Sequence, residues 1–179
     1  MITKILNAIT LSRILCATLI YLILFLESSY SLALFLFFIA SFSDFLDGYL
    51  ARKTNSVSVL GEILDPIADK LLIVFVLIGL SINLDSFLIG FISAVIISRE
   101  IWVAALRDIN SRNNQSDKTR VTFLAKTKTA IQMLAILMYL FGLTLNNMMI
   151  LFFADIVLII ALLITIQTGF QYTISTFKK

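Results

Sequence analysis

Four aspartates stand inside a chain that is otherwise almost entirely apolar. They lie in the run Asp44-Phe-Leu-Asp47-Gly48-Tyr-Leu-Ala51-Arg52, eight intervening residues, then Gly61-Glu-Ile-Leu-Asp65-Pro-Ile-Ala-Asp69. On helices, Asp44 and Asp47 (i, i+3) share one face, and so do Asp65 and Asp69 (i, i+4). The short connection after Arg52 predicts an antiparallel hairpin in which the two pairs approach one cavity from opposite sides. Close carboxylates repel one another, the more so in a low dielectric. A divalent cation relieves that repulsion, and hard oxygen ligands favour Mg²⁺, Mn²⁺ or Ca²⁺. A site with open coordination positions suits a pyrophosphate, whose oxygens complete the shell. Gly48 and Gly61 leave room for backbone to approach a bulky ligand, Ala51 keeps the same face low, and Arg52 supplies a forked donor.

The elements that position these acids must lie in a bilayer. Of 179 residues, 60% are hydrophobic and 14% charged, against about 25% charged in soluble domains. Apolar stretches near 9–26, 30–51, 63–82, 86–106, 129–145 and 148–170 are each long enough, or nearly so, to cross a core of about 30 Å as a helix. The fold class expected is an all-α integral membrane protein, a six-transmembrane-helix bundle with a short N-terminal interfacial segment, forming one domain over residues 1–179. A carboxylate at that depth costs several kcal/mol unless compensated, so it marks a functional site.

With both termini inside, the outer connections fall near Glu27–Tyr30, Ser81–Asp85 and Leu145–Met148, and none contains lysine or arginine. All fourteen basic residues then lie at or near the inner side, which selects this topology over its inverse. Arg107 to Thr122 reads as a solvated cytoplasmic loop. Pro66 alters the backbone beside the second acidic pair. There is no histidine, so any general base is a carboxylate, lysine or tyrosine. The single Cys16 excludes an internal disulfide and a thiolate metal site, and nothing calls for a nucleic-acid partner. Asp155, alone in the sixth stretch, reads as a packing or dimer-contact residue, and Tyr49 and Trp102 as bilayer or packing residues.

The run Asp-x2-Asp-Gly-x2-Ala-Arg-x8-Gly-x3-Asp-x3-Asp resembles the motif of the CDP-alcohol phosphatidyltransferases at every motif position. The resemblance implies a six-helix membrane enzyme, a homodimer, with two divalent ions (Mg²⁺ or Mn²⁺) in a polar cavity on the cytoplasmic side of a bacterial inner membrane. It implies Asp44, Asp47 and Asp65 as metal ligands and Asp69 as a further ligand and the general base. Gly48, Ala51, Arg52 and Gly61 would line the CDP site along with Asp44 and Asp47. The stretch Asn7-Ala-Ile-Thr10-Leu-Ser-Arg13 is similar to the entry of those members that use glycerol 3-phosphate, with Leu6 where proline is common; it adds Asn7 and Thr10 to the CDP site.

Arg99-Glu100, Leu106-Arg107 and Lys126-Thr-Lys128-Thr129 followed by Gln132 are similar to the same members, with Ala125 where glycine is usual. An anionic acceptor needs cations, and Arg99, Arg107, Lys126 and Lys128 flank two helices able to face the cavity; Arg13 joins them. The function expected is transfer of a phosphatidyl group from CDP-diacylglycerol to glycerol 3-phosphate. The alternatives are another acceptor (serine, inositol phosphate or a phospholipid) and a cation transporter with an acidic intramembrane site.

Overall fold

The computed structural model describes the backbone of residues 2–54, 59–113 and 123–178, and the side chains of 7–43, 61, 64–113 and 127–178. It comprises six helices: α1 (Ile2–Phe25), α2 (Tyr30–Thr54), α3 (Val59–Asn83), α4 (Phe87–Arg112), α5 (Phe123–Leu145) and α6 (Met148–Phe177). Four stretches, Asn7–Phe25, Phe87–Arg112, Thr127–Leu145 and Met148–Phe177, are long and apolar enough to cross a membrane. The described part of α2 is apolar over Tyr30–Ser43. Within the span of α3 lie Asp65, Asp69 and Lys70. The chain is a multi-pass helical membrane protein.

α1 runs unbroken from Ile2, so the short N-terminal segment is continuous with the first span. At about 1.5 Å per residue its first turns overhang a core of about 30 Å. The fourth helix continues past Arg107 to Arg112. There Arg112 pairs with Asp108 one turn earlier at 2.7 Å, and Asn110 Nδ2 donates to Thr176 of α6 at 2.9 Å. Polar side chains thus carry both helices beyond the apolar layer.

The interior is assembled from one stripe of each helix. Ala17, Ile20 and Leu24 of α1, Ala33, Phe37 and Ala40 of α2, and Leu72, Val76 and Leu80 of α3 are fully enclosed. Ile89, Ile92 and Ile96, Ala135, Ile136 and Tyr139, and Ala154 and Leu158 complete the cluster from α4, α5 and α6. Lipid tails are as apolar as leucine, so the small residues matter for close approach. Gly79 is such a point: a Cβ there would lie 3.1 Å from Leu24 of α1. α1 is the principal neighbour of α3, and it also packs on α2.

Among the described residues α3 packs chiefly on α1, and α1 and α5 each contact both α2 and α3. The ends of α2 and α3 where the two acid pairs would face one cavity lie largely outside the residues whose side chains are described.

The turns that follow α1, α3 and α5 share one construction. Glu27, Asp85 and Asn146 adopt left-handed φ values of 50°, 45° and 50°. In each turn the following N–H reaches back to close the helix: Ser28 to Ile23, Ser86 to Ser81 and Asn147 to Gly142, at 3.2, 2.9 and 2.9 Å. This is the Schellman arrangement. Ser86 Oγ and Asn147 Oδ1 then cap the next helix. A non-glycine residue costs about 1 kcal/mol in this conformation, and more if β-branched. Glu27→Gly is accordingly expected to raise the thermal midpoint of the purified protein and Glu27→Val to lower it; the opposite order in a melting experiment would refute the assignment.

Candidate functional site

The site begins on α3, where the helix carries Asp65, Pro66, Asp69 and Lys70. Both acids find partners on α1. Thr10 Oγ1 donates to Asp65 Oδ1 at 2.6 Å, and Arg13 Nη1 donates to Asp69 Oδ1 at 2.7 Å. Thr10 and Arg13 are each only 1% exposed and lie three residues apart, one turn on the face that α1 turns to α3. The i, i+4 acids and the i, i+3 donors thus match in pitch. Without them, packing α1 on α3 would bury carboxylates with nothing to compensate the lost water. Asn7, one turn before Thr10, is half-buried, and Gly61 is buried.

The remaining sequence-predicted residues divide clearly. Asp44, Asp47, Gly48, Ala51 and Arg52 belong to the helical end of α2, but their side chains lie outside the described residues, as does that of Lys126. Among the described residues no group of three or more potential metal-ligating side chains gathers. Of the four acids expected to hold metal, the side chains of Asp65 and Asp69 on α3 are described, and Asp65 uses Oδ1 toward Thr10.

Beside Asp69 lies a cavity of about 180 Å³ between α3, α4 and α5. Much of its wall is apolar, from Pro66, Ile73, Val74 and Ile96, and Asp69, Lys70, Glu100, Lys128, Thr129 and Gln132 supply its polar part. Its volume equals that of roughly six waters. Lys70 lies thirteen residues before the end of α3 and Glu100 a similar distance along α4, so the cavity sits about 20 Å from the turn that joins these helices.

Of the basic residues expected to face an anion, Lys128 does line this cavity. It donates to Glu100 Oε1. Arg99 stands behind that contact, with Nη1 on Glu100 at 2.9 Å and Nη2 on Thr168 of α6 at 3.0 Å. Arg99 and Arg107, two turns apart, flank Tyr172 of α6, their guanidinium carbons 5.6 and 5.7 Å from its ring centroid. Gly169 lets this happen, since a Cβ there would come within 3.1 Å of Arg99 Cγ. Both arginines are thus directed to α6, and Arg13 to Asp69.

Threonines continue the same seam. Thr165 accepts from Gln132 at 3.1 Å and Thr173 from Trp102 at 2.9 Å. Trp102 is thereby a packing residue of the α4–α6 contact. Asp155 accepts from Tyr139, a bond between α6 and α5.

Lys70 and Glu100 were not singled out from sequence. Lys70 follows Asp69 directly and reads as an inner-side anchor, and Glu100 reads as part of a dipeptide with Arg99. The available signal was cost: Glu100 and Lys128 both fall within or beside apolar stretches, where each needs a counter-charge.

Comparison with known proteins is consistent with this arrangement. The family model described as CDP-alcohol phosphatidyltransferase matches residues 4–167. A Rickettsia bellii protein named CDP-diacylglycerol–glycerol-3-phosphate 3-phosphatidyltransferase is 39% identical over 169 residues, covering 93% of this chain and 91% of the relative. Proteins of the same name from Haemophilus influenzae and Escherichia coli are 38% and 31% identical, over 82% and 72% of this chain and 78% and 71% of their own.

The pairing of α1 with α3 yields a direct test. Arg13→Ala leaves Asp69 without its buried partner and is expected to cost about 3 kcal/mol, while Thr10→Val removes one hydrogen bond for about 1 kcal/mol. Thermal unfolding in detergent checks the order; equal midpoints for wild type and Arg13→Ala would show that the pair does not hold the two helices.

Proposed function

We propose, from the premise that this chain belongs to the CDP-alcohol phosphatidyltransferase family, that it transfers a phosphatidyl group from CDP-diacylglycerol to glycerol 3-phosphate, releasing CMP. Family membership makes it a membrane transferase and leaves the transporter alternative without support. The observation that carries the acceptor is the small cavity beside Asp69, with Lys70 and Lys128 on its wall. Relatives over most of their length are named for glycerol 3-phosphate, and the two lysines on the wall supply the ammonium donors that its phosphate calls for. A serine acceptor brings no phosphate to meet those lysines.

In this reading the acyl chains of the donor stay among the helices and its pyrophosphate lies at the acids of α2 and α3. Asp44, Asp47, Asp65 and Asp69 would hold two divalent ions, Mg²⁺ or Mn²⁺, which supply charge neutralisation to the pyrophosphate and the departing CMP. Gly48, Ala51, Arg52 and Gly61, with Asn7 and Thr10, line the CDP moiety. The acceptor's 1-hydroxyl oxygen attacks the phosphorus bearing the diacylglycerol. Its proton passes to an Asp69 oxygen, and the bond from that phosphorus to the oxygen of CMP breaks. Arg13 keeps the Asp69 carboxylate aimed, and Lys128 binds the acceptor phosphate. Arg99, Arg107 and Lys126 complete the basic surround, the first two by fixing α6 against α4. The distribution of basic residues puts the site and both termini on the cytoplasmic side, and the homodimer is part of the same proposal.

An acceptor screen tests the reading. Purified protein with CDP-diacylglycerol and Mg²⁺ is expected to release CMP and form lipid product with glycerol 3-phosphate, but not with serine or inositol phosphate. Asp69→Asn is expected to lower turnover by at least about 10³-fold with donor binding retained. Product with serine alone would reject the acceptor, and normal turnover in Asp69→Asn would reject the base.

A further inference from the structure

Glu100 stands outside the acid motif and outside the basic set expected to meet the acceptor, yet three cations converge on it. Its Oε1 accepts from Arg99 Nη1 at 2.9 Å and from Lys128 Nζ, and its Oε2 faces Lys70 Nζ at 3.6 Å. These groups come from α3, α4 and α5, so one carboxylate joins the three walls of the cavity. The side chains of Lys128 and Arg99 are 6% and 8% exposed, and bulk water does little to stabilise their charges. Among the described residues the three cations share this single carboxylate. Three positive charges less one leave a local surplus of two. Asp69, the other acid on the cavity wall, is engaged by Arg13.

We propose that Glu100 is the positioning counter-ion of the acceptor cavity, and that the two-charge surplus it organises selects a doubly charged phosphate monoester over a neutral or zwitterionic alcohol. The proposal rests on the reading that this cavity receives the acceptor. An ammonium has three N–H donors. A lysine held by Glu100 through one of them keeps others for a phosphate, whose second ionisation near pH 6 makes it a dianion at neutral pH. Without Glu100, three like charges at low dielectric repel, and the flexible lysine stems let Lys70 and Lys128 withdraw from the wall. Glu100 touches no reacting atom; it acts through the lysines.

Steady-state kinetics of the full-length protein in detergent separates this from a merely structural role. Glu100→Gln is expected to raise KM for glycerol 3-phosphate about thirtyfold, the lower end for losing one partner of a buried charge pair. KM for CDP-diacylglycerol should stay within about twofold, and Glu100→Asp should recover part of the acceptor affinity. An unchanged acceptor KM in Glu100→Gln, or equal rises for both substrates, overturns the proposal. If Glu100→Gln does not fold, Glu100→Asp carries the test: a rise confined to the acceptor supports the role, and an unchanged or unselective KM overturns it. Lys128→Gln keeps the two readings apart. A raised acceptor KM in Lys128→Gln with none in the Glu100 variants removes only the role of Glu100. No rise in Lys128→Gln removes the cavity as the acceptor site, and with it this proposal.

Discussion

A carboxylate or an ammonium inside a bilayer must find compensation within the protein, and nearly every unusual contact of this bundle answers that requirement. Asp65 and Asp69 take a hydroxyl and a guanidinium from α1. Glu100 takes Arg99, Lys128 and Lys70, and Asp155 takes the hydroxyl of Tyr139. Each compensation crosses between helices, or in the case of Glu100 gathers three. The polar groups therefore do more than occupy the bundle: they specify which helix lies against which, where apolar packing alone would leave many solutions of similar energy.

The arrangement also keeps two tasks apart. The acids of the motif lie on α2 and α3, both of which α1 and α5 contact. The cavity lies between α3, α4 and α5, and Asp69 borders it. Asp69 is thus the residue common to both halves. Behind the cavity, Arg99 and Arg107 grip Tyr172, and the threonines of α6 accept from Gln132 and Trp102. The C-terminal half of α6 is fastened by polar bonds, while its N-terminal half buries small residues such as Ala154 and Ala161.

Much of this was legible in the residue pattern. Six apolar stretches became six helices, and the turns fell close to the stretches free of lysine and arginine. The i, i+3 and i, i+4 spacings placed each acid pair on one helix, because helical phase depends only on local geometry. What was not legible depends on which helix faces which. The short connection between α2 and α3 predicts a hairpin, but nothing in it reveals that α1 supplies the partners of the α3 acids. Arg99 and Arg107 are correctly phased to share a side of α4, yet spacing cannot distinguish a cavity from the ring of Tyr172. Lys70 and Glu100 gain meaning only when three helices meet.

The central claim is that the acids of α2 and α3, separated in sequence, form one site for divalent ions. Electron paramagnetic resonance titration of the purified protein with Mn²⁺ addresses it directly. Two bound Mn²⁺ per chain are expected, with occupancy lost in both Asp44→Asn on α2 and Asp65→Asn on α3. Undiminished Mn²⁺ binding in either variant would contradict the claim.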